Sequence, residues 1–187
     1  MAGADLYDAV DWTNLLSVAG PVMGYLDGPD SAWPPEAFAR LGARVVLLIT
    51  VLGDQRAPVF DSEAGNAGVG VVATAVANRL QDGKWSVIYT NRANLPAQTQ
   101  ALRGKSLGWT DAQFWPRPGV YLHAADPTGH PHTAVAWAPV QPVAVQYLWT
   151  AGYDVSACSN PYPYPPLPAP APAPAGRVPM SAIYAGR

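Results

Sequence analysis

The stretch Arg-Val-Val-Leu-Leu-Ile-Thr-Val-Leu, residues 44–52, is a continuous apolar run rich in β-branched side chains. Such a run is typical of a strand buried on both faces, and this favours a parallel sheet covered by helices. It is also too short to cross a bilayer. The sequence therefore predicts an α/β fold built around this strand.

Segments with strand character and segments with helix character alternate on both sides of this run through the first hundred residues. The predicted strands cover residues 5–10, 21–26, 44–52, 57–63, 85–90, 120–124, 143–148 and 153–157, and the predicted helices cover residues 36–41, 70–80 and 95–102. Such alternation indicates right-handed crossovers and a parallel sheet, and eight strands fit a closed barrel. A complete (β/α)8 barrel takes about 250 residues, so we expect a shortened, TIM-like one.

Acidic residues recur where these strands end. The sequence Phe-Asp-Ser-Glu at residues 60–63 places Asp61 and Glu63 two positions apart, so both carboxylates point to one face of the strand. Two crowded acids raise the pKa of one of them, as acid–base chemistry requires. Asp8, Asp27 and Asp154 also lie at predicted strand exits, where barrel enzymes hold their catalytic groups. The alternative is a set of solvated acids.

The composition excludes some functions and favours others. The net charge of -2 and the absence of any Lys/Arg cluster argue against nucleic-acid binding. Charged residues make up only 13% of the chain, which also has seven Trp and nine Tyr. Two explanations of this composition stay open: the aromatic side chains contact sugar rings or protein partners, or they pack in an aromatic core. No secretory signal pattern is present, and a phosphate loop and a nucleophile elbow are both missing.

The order of several short motifs resembles that of the family 25 glycoside hydrolases, which are lysozyme-like barrels that cut bacterial peptidoglycan. The resemblance covers residues 5–158 and is stronger to the shortened barrels of actinobacteria and of phage tail modules. It is carried by Asp8 and by five segments, namely Gly-Tyr-Leu-Asp-Gly at 24–28, Phe-Asp-Ser-Glu at 60–63, Val-Ile-Tyr at 87–89, Gln-Tyr at 146–147 and Tyr-Asp-Val-Ser at 153–156.

The resemblance implies roles for the acids. Glu63 would protonate the glycosidic oxygen, and Asp61 would stabilise positive charge at the anomeric carbon or orient the N-acetyl group, while Asp8 and Asp154 would line the same bowl. The choice between retention and inversion stays open, and no cofactor is expected. The expected substrate-binding residues are Tyr25, Asp27, Tyr89, Trp115, Gln146 and Tyr147.

The chain departs from the family at two positions. Val145 and His123 stand where the family carries stacking tryptophans, so loose glycan binding is expected. His123, His130 and His132 lie within ten residues, but the Gly and Pro residues among them favour a solvated loop with a packed His123 over a metal site.

The end of the chain differs in composition from the barrel. Residues 159–176 repeat Pro-Ala and predict a polyproline II spacer, and residues 177–187 regain apolar character, as a docking peptide would. The alternative is a free linker. We therefore expect either a peptidoglycan-cleaving or peptidoglycan-binding barrel in a phage virion, or a non-catalytic minor tail protein anchored to other virion proteins by this arm. A membrane partner is not expected.

Overall fold

The computed structural model describes residues 5–63, 65–105 and 119–159. Within these ranges eight strands form one closed barrel in chain order. The strands are β1 (Asp5–Asp8), β2 (Val22–Tyr25), β3 (Val45–Thr50), β4 (Val59–Asp61), β5 (Ser86–Asn91), β6 (Val120–Ala125), β7 (Ala144–Trp149) and β8 (Asp154–Cys158). The predicted closed barrel of eight strands is therefore confirmed.

Each of the strands β1 to β6 is parallel to the strand that follows it in the chain. Strand β8 is antiparallel to both β7 and β1 and closes the ring. The reason is the length of the connection between β7 and β8, which is residues 150–153. So few residues can form a hairpin but not a parallel crossover. The Thr150 amide donates to the Tyr153 carbonyl at 3.0 Å and tightens this hairpin.

Helices accompany only part of the barrel in the described ranges. Helix α1 (Pro35–Leu41) follows β2, α2 (Val69–Gln81) follows β4, and α3 (Leu95–Arg103) follows β5. Proline at the start of α1, Glu36 in its first turn and Arg40 in its last turn suit the helix dipole. The architecture is thus a mixed barrel, in which strand and helix do not alternate regularly around the whole ring.

Side chains on the two faces of the strands build two different cores. The outward-facing Phe60 of β4 and Ile88 of β5 are fully buried under the Val72, Ala73 and Val76 face of α2. The barrel interior holds the opposite set, in which apolar residues from several strands meet: Leu6, Met23, Leu47, Ile49, Val59, Val87, Ala144 and Cys158. Burial of these side chains removes apolar surface from water and is the main stabilising contribution to the fold.

Polar residues replace apolar ones toward the carboxyl end of the parallel strands. The inward positions there are occupied by buried polar side chains, namely Asp8, Asp61, His123, Gln146 and Ser156. The carboxyl end of the barrel is therefore where the fold concentrates polar groups. None of the helices in the described part of the chain is both long and apolar enough to span a membrane. Trp115, the proline-rich residues 160–176 and residues 177–187 lie outside the described residues.

Candidate active site

Four carboxyl groups meet at the carboxyl end of the barrel: Asp8, Asp61, Glu63 and Asp154, which we call the acidic cluster. Asp8 is the last residue of β1 and Asp61 the last of β4, while Glu63 follows β4 directly. Asp154 is the first residue of β8, so the expectation that it ends a strand is wrong. Because β8 is antiparallel, its first residue lies beside the last residue of β1.

Asp8 lies deepest in the acidic cluster. It is paired with Asp154 across the antiparallel β1–β8 ladder, and side chains paired in this way have Cβ atoms about 5 Å apart. Tyr25 Oη donates to Asp8 Oδ1 at 3.0 Å, while Oδ2 is buried without a partner among the described residues. Burial, reinforced by the charge of Asp154, raises the pKa of Asp8 well above its usual range.

Asp61 points into the barrel from β4. Burial raises the pKa of Asp61 to about 7, against the effect of a hydrogen bond from Asn66, and the neighbouring Glu63 raises it further. The Glu63 amide donates to Asp61 Oδ1 at 3.2 Å, and Ser62 between them turns away to donate to Gln98 on α3. The two-residue spacing therefore brings both acids to one side of the strand, as the sequence predicts.

Glu63 occupies the outer edge of the acidic cluster and is partly buried. Asn91 at the end of β5 donates from Nδ2 to Glu63 Oε1 at 3.0 Å and orients the carboxyl group. Burial raises the pKa of Glu63, and the Asn91 hydrogen bond opposes that shift. Glu63 is thus a carboxyl group that is both held in place and reachable from the mouth of the barrel.

The pKa of Asp154 depends on a hydrogen-bonded pair, Tyr89 and Gln146. Tyr89 Oη donates to Gln146 Oε1, which turns the amide nitrogen of Gln146 away from Tyr89. Gln146 Nε2 is buried without regular hydrogen-bond geometry to any described residue, yet the side chain is close enough to Asp154 to lower the pKa of that carboxyl. Burial outweighs this effect, and the pKa of Asp154 is raised to about 6.

The electrostatic character of the site follows from these contacts. Burial and the other carboxyls dominate the upward shifts of Asp8, Asp61 and Asp154. Crowded carboxyls cannot all ionise at low cost, so near neutral pH the acidic cluster holds both protonated and ionised members. A proton donor and a negative charge are therefore available in one space.

Two expected binding residues are not brought to the acidic cluster. Asp27 accepts hydrogen bonds from Thr50 Oγ1 at 2.5 Å, the Val51 amide at 2.7 Å and the Leu52 amide at 3.1 Å. These bonds stabilise the end of β3. Tyr147 lies outside the barrel, where it packs with Val155 and Ala157, and its hydroxyl donates to Asp5 at 3.4 Å.

Three of the expected binding residues, Tyr25, Tyr89 and Gln146, lie in or beside the acidic cluster. The residues that form hydrogen bonds with Glu63 and Asp61 were not predicted from the sequence. Asn91 ends β5, next to β4 in the barrel, and Asn66 lies in the loop after β4. The signal was present for Asn91, because polar residues at the ends of adjacent parallel strands share the mouth of a barrel.

The three histidines do not form one cluster in the structure. His123 is fully buried inside the barrel, where Nε2 lies 2.9 Å from Ser156 Oγ and the ring meets Tyr89 edge-on at 4.8 Å. His132 lies in the loop after β6 and contacts Asp126 Oδ2 at 3.0 Å. Across the described ranges, no group of three or more His, Cys, Asp or Glu side chains has an arrangement suited to a metal ion.

Comparisons with known proteins do not assign the chain to a family. No family model matches it, and no curated protein matches its sequence. One similar solved structure is the 1.07 Å crystal structure of an uncharacterized B. stearothermophilus protein, at 10% sequence identity and a TM-score of 0.44. The match covers 86% of this chain and 98% of that one.

Proposed function

We propose that this protein is a lysozyme-like glycoside hydrolase that acts on bacterial cell-wall peptidoglycan, with a shortened form of the (β/α)8 barrel as its scaffold. The observation that carries the proposal is the acidic cluster, in which side chains from β1, β8 and the β4 exit share one space at the carboxyl end of the barrel. Glycosidases use such paired carboxyls, one protonated and one charged.

Glu63 is assigned the role of proton donor to the glycosidic oxygen. It is the outermost member of the acidic cluster, and Asn91 holds one of its oxygens, so a bound glycan meets an oriented carboxyl group. Burial raises the pKa of Glu63 and keeps a larger fraction of it protonated as neutral pH is approached. As the bond to the leaving sugar breaks, the Glu63 proton passes to the leaving oxygen. The anomeric carbon then bonds to a water oxygen, either directly or after an adduct with the sugar's own N-acetyl oxygen, and the proton released by this water restores the Glu63 carboxyl group.

Asp61 is assigned the stabilisation of positive charge at the anomeric carbon. With a pKa of about 7 it exchanges easily between its neutral and charged forms at neutral pH. Positive charge that develops on the sugar lowers this pKa, so the ionised form of Asp61 is favoured in the transition state. Orientation of the substrate N-acetyl group by the same carboxyl is an alternative role that uses the same position.

The test is release of reducing ends from purified peptidoglycan by the parent and by Glu63→Gln. The amide keeps the size of the side chain and its place beside Asn91 but has no acidic proton to transfer to the glycosidic oxygen, so we expect a loss of about 10²- to 10⁴-fold in kcat. Glu36→Gln on α1 is the matched control, because the Glu36 side chain is 68% exposed and lies away from the acidic cluster. It should retain parent activity.

An inactive parent, under conditions in which a reference lysozyme is active, would overturn the hydrolase proposal. Equal activity of the parent and Glu63→Gln would overturn the assignment of the proton donor. Both results are read against a thermal unfolding curve of each protein, so that loss of fold is not mistaken for loss of chemistry.

A second candidate is a non-catalytic minor tail protein of a phage virion. It is favoured by His123, which is fully buried against Ser156 and offers no surface to a sugar where the family resemblance places a tryptophan. Here the proline-rich arm anchors the barrel to neighbouring virion proteins. Removal of residues 160–187 should then abolish incorporation into particles while the barrel stays folded. Unchanged incorporation would exclude this anchoring role.

A further inference from the structure

Strand β7 contains an irregularity that changes which of its residues face the barrel mouth. In the β7–β8 ladder Gln146 pairs with Ser156, Leu148 pairs with Val155, and Trp149 pairs with Asp154. Two steps along β7 therefore match one step along β8, which is the count of a β-bulge. Tyr147 and Leu148 consequently both pack outside the barrel, in the cluster with Val155 and Ala157.

The bulge reverses the orientation of the last residue of β7. In a regular strand Gln146 and Leu148 would share the inner face and Trp149 would point outward. With the extra residue, Trp149 lies opposite Asp154, and residues directly opposite in an antiparallel pair are on the same face of the sheet. Asp154 belongs to the acidic cluster, so Trp149 is on the face of the sheet that carries this cluster.

Trp149 is nevertheless 58% exposed, the highest exposure of any large hydrophobic side chain in the described ranges. Two other exposed apolar side chains lie at the same end of the barrel, namely Val10 two residues after β1 and Leu52 two residues after β3. Ligand sites typically combine apolar and aromatic side chains with a small number of polar groups.

The backbone that carries Trp149 is fixed before any ligand binds. Thr150 Oγ1 donates to the Tyr153 carbonyl at 2.6 Å and accepts from the Tyr153 amide at 2.8 Å. Asn14 Nδ2 donates to the Gly152 carbonyl at 2.9 Å and ties the hairpin to the segment after β1. A rigid backbone at this position lowers the conformational entropy that is lost when a ligand binds.

We infer that Trp149 is the stacking platform for a neutral pyranose ring of the glycan bound beside the acidic cluster. This inference rests on the proposed function. Val145, which stands where the resemblance expects a tryptophan, is fully buried, so it offers no stacking surface. The apolar face of a pyranose covers an indole ring, while its hydroxyl and amide groups can form hydrogen bonds with the partly buried carboxyls of Glu63 and Asp154 at the same end of the barrel.

The test is titration calorimetry with a soluble β-1,4-linked N-acetylglucosamine tetramer, followed by kinetics on peptidoglycan. Trp149→Ala should bind the tetramer about tenfold or more weakly, and Trp149→Phe should recover most of the affinity, because a phenyl ring keeps a stacking face. In kinetics the loss should fall on KM, with kcat within about twofold of the parent, since the indole does not touch the reacting bond.

The matched control is Trp85→Phe, because Trp85 directly precedes β5 at the amino end of the barrel, opposite the acidic cluster. It should bind the tetramer as the parent does. If the parent binds and cleaves, and Trp149→Ala binds equally well, the platform role is wrong and the proposed hydrolase function stands. A parent that neither binds the tetramer nor cleaves peptidoglycan overturns both. A loss of kcat with unchanged KM also contradicts a stacking role.

Discussion

The amino end of the barrel holds a buried cation, Arg79 of α2, and the carboxyl end holds the acidic cluster. Arg79 is only 7% exposed, and its guanidinium group donates hydrogen bonds to three acceptors near the starts of β4 and β5. It donates to the Trp85 carbonyl at 2.7 Å, to Ser86 Oγ at 3.2 Å and to the Gln55 carbonyl at 2.6 Å. Every one of these bonds joins one part of the chain to another.

The carboxyl end uses its buried groups differently. Asp8 Oδ2 and His123 Nδ1 have no hydrogen-bond partner among the described residues, although both side chains are almost fully buried. Unpartnered buried polar atoms cost stability and are rare in folded proteins, so they call for an explanation. The comparison teaches that the buried cation at one end makes hydrogen bonds that stabilise the fold, whereas buried polar groups at the other end are partly unpartnered and cost stability.

Arg79→Met is expected to give the largest loss of stability. The variant keeps the length and the apolar contacts of the side chain but leaves the acceptors at Gln55, Trp85 and Ser86 without their donor. Loss of several charge-assisted hydrogen bonds should lower the free energy of unfolding by about 3 kcal/mol. Urea unfolding at pH 7 measures the change.

Arg40→Met is the control for Arg79→Met, because the Arg40 side chain is 54% exposed and its ion pair with Glu36 is on the surface of α1. Its effect should stay within about 0.5 kcal/mol. A loss of less than 1 kcal/mol for Arg79→Met would remove the structural half of the comparison between the two ends.

Asp61→Asn is expected to stabilise the protein at neutral pH. The pKa of Asp61 is raised from 3.8 to about 7 in the folded state, so folding binds a proton between these values. The stabilising contribution of the protonated group is fully present below pH 4 and is lost as the pH rises through about 7. Asn mimics the protonated form at every pH. The variant should gain about 4 kcal/mol over the parent at pH 7 and only about 0.5 kcal/mol at pH 4.

Chemical unfolding of Asp61→Asn and parent across pH 4 to 8 measures this difference. Asp30→Asn, in the exposed turn before α1, controls for the change of net charge. The same Asp61→Asn protein should cleave peptidoglycan far more slowly, as expected where a destabilising group is retained for activity. A stability difference that does not grow with pH would show that folding does not raise the pKa of Asp61.

Local sequence patterns predicted most of the fold. The apolar run that became β3 and the Asp61–Glu63 spacing were informative because they depend on burial and strand periodicity alone. The antiparallel direction of β8 was missed, although the short link of residues 150–153 already excluded a parallel crossover. The acids of β1 and β4 were expected at strand ends, whereas Asp154 reaches the same place only because its strand is reversed.

Other parts of the site depend on long-range pairing, which a single sequence does not contain. The bulge at Tyr147 and Leu148 is visible only once β7 and β8 are paired, so the orientation of Trp149 could not be inferred. The contact between Asn91 and Glu63 likewise requires β4 and β5 to be neighbours. Asp27 looked like a binding residue because it ends a strand, but its side chain is used to hold the end of β3.

Tyr89→Phe should have the smallest effect on stability and tests whether the carboxyl end is tuned for function. Removal of the hydroxyl leaves Gln146 Oε1 without its donor, so the amide is no longer fixed with its nitrogen on the side of Asp154. The unfolding free energy should fall by about 1 kcal/mol or less.

The effect of Tyr89→Phe on the pKa should be clearer than its effect on stability. Because Gln146 lowers the pKa of Asp154, loss of that influence should raise it above its parent value of about 6. If Asp154 acts in its ionised form, the acidic limb of the kcat/KM profile on peptidoglycan then moves to higher pH. Tyr147→Phe, whose hydroxyl lies outside the barrel, should leave that limb in place. Identical acidic limbs for both variants would mean that the tyrosine–glutamine pair does not affect the pKa of Asp154. The buried polar groups of the carboxyl end would then have a structural role, as Arg79 has at the amino end.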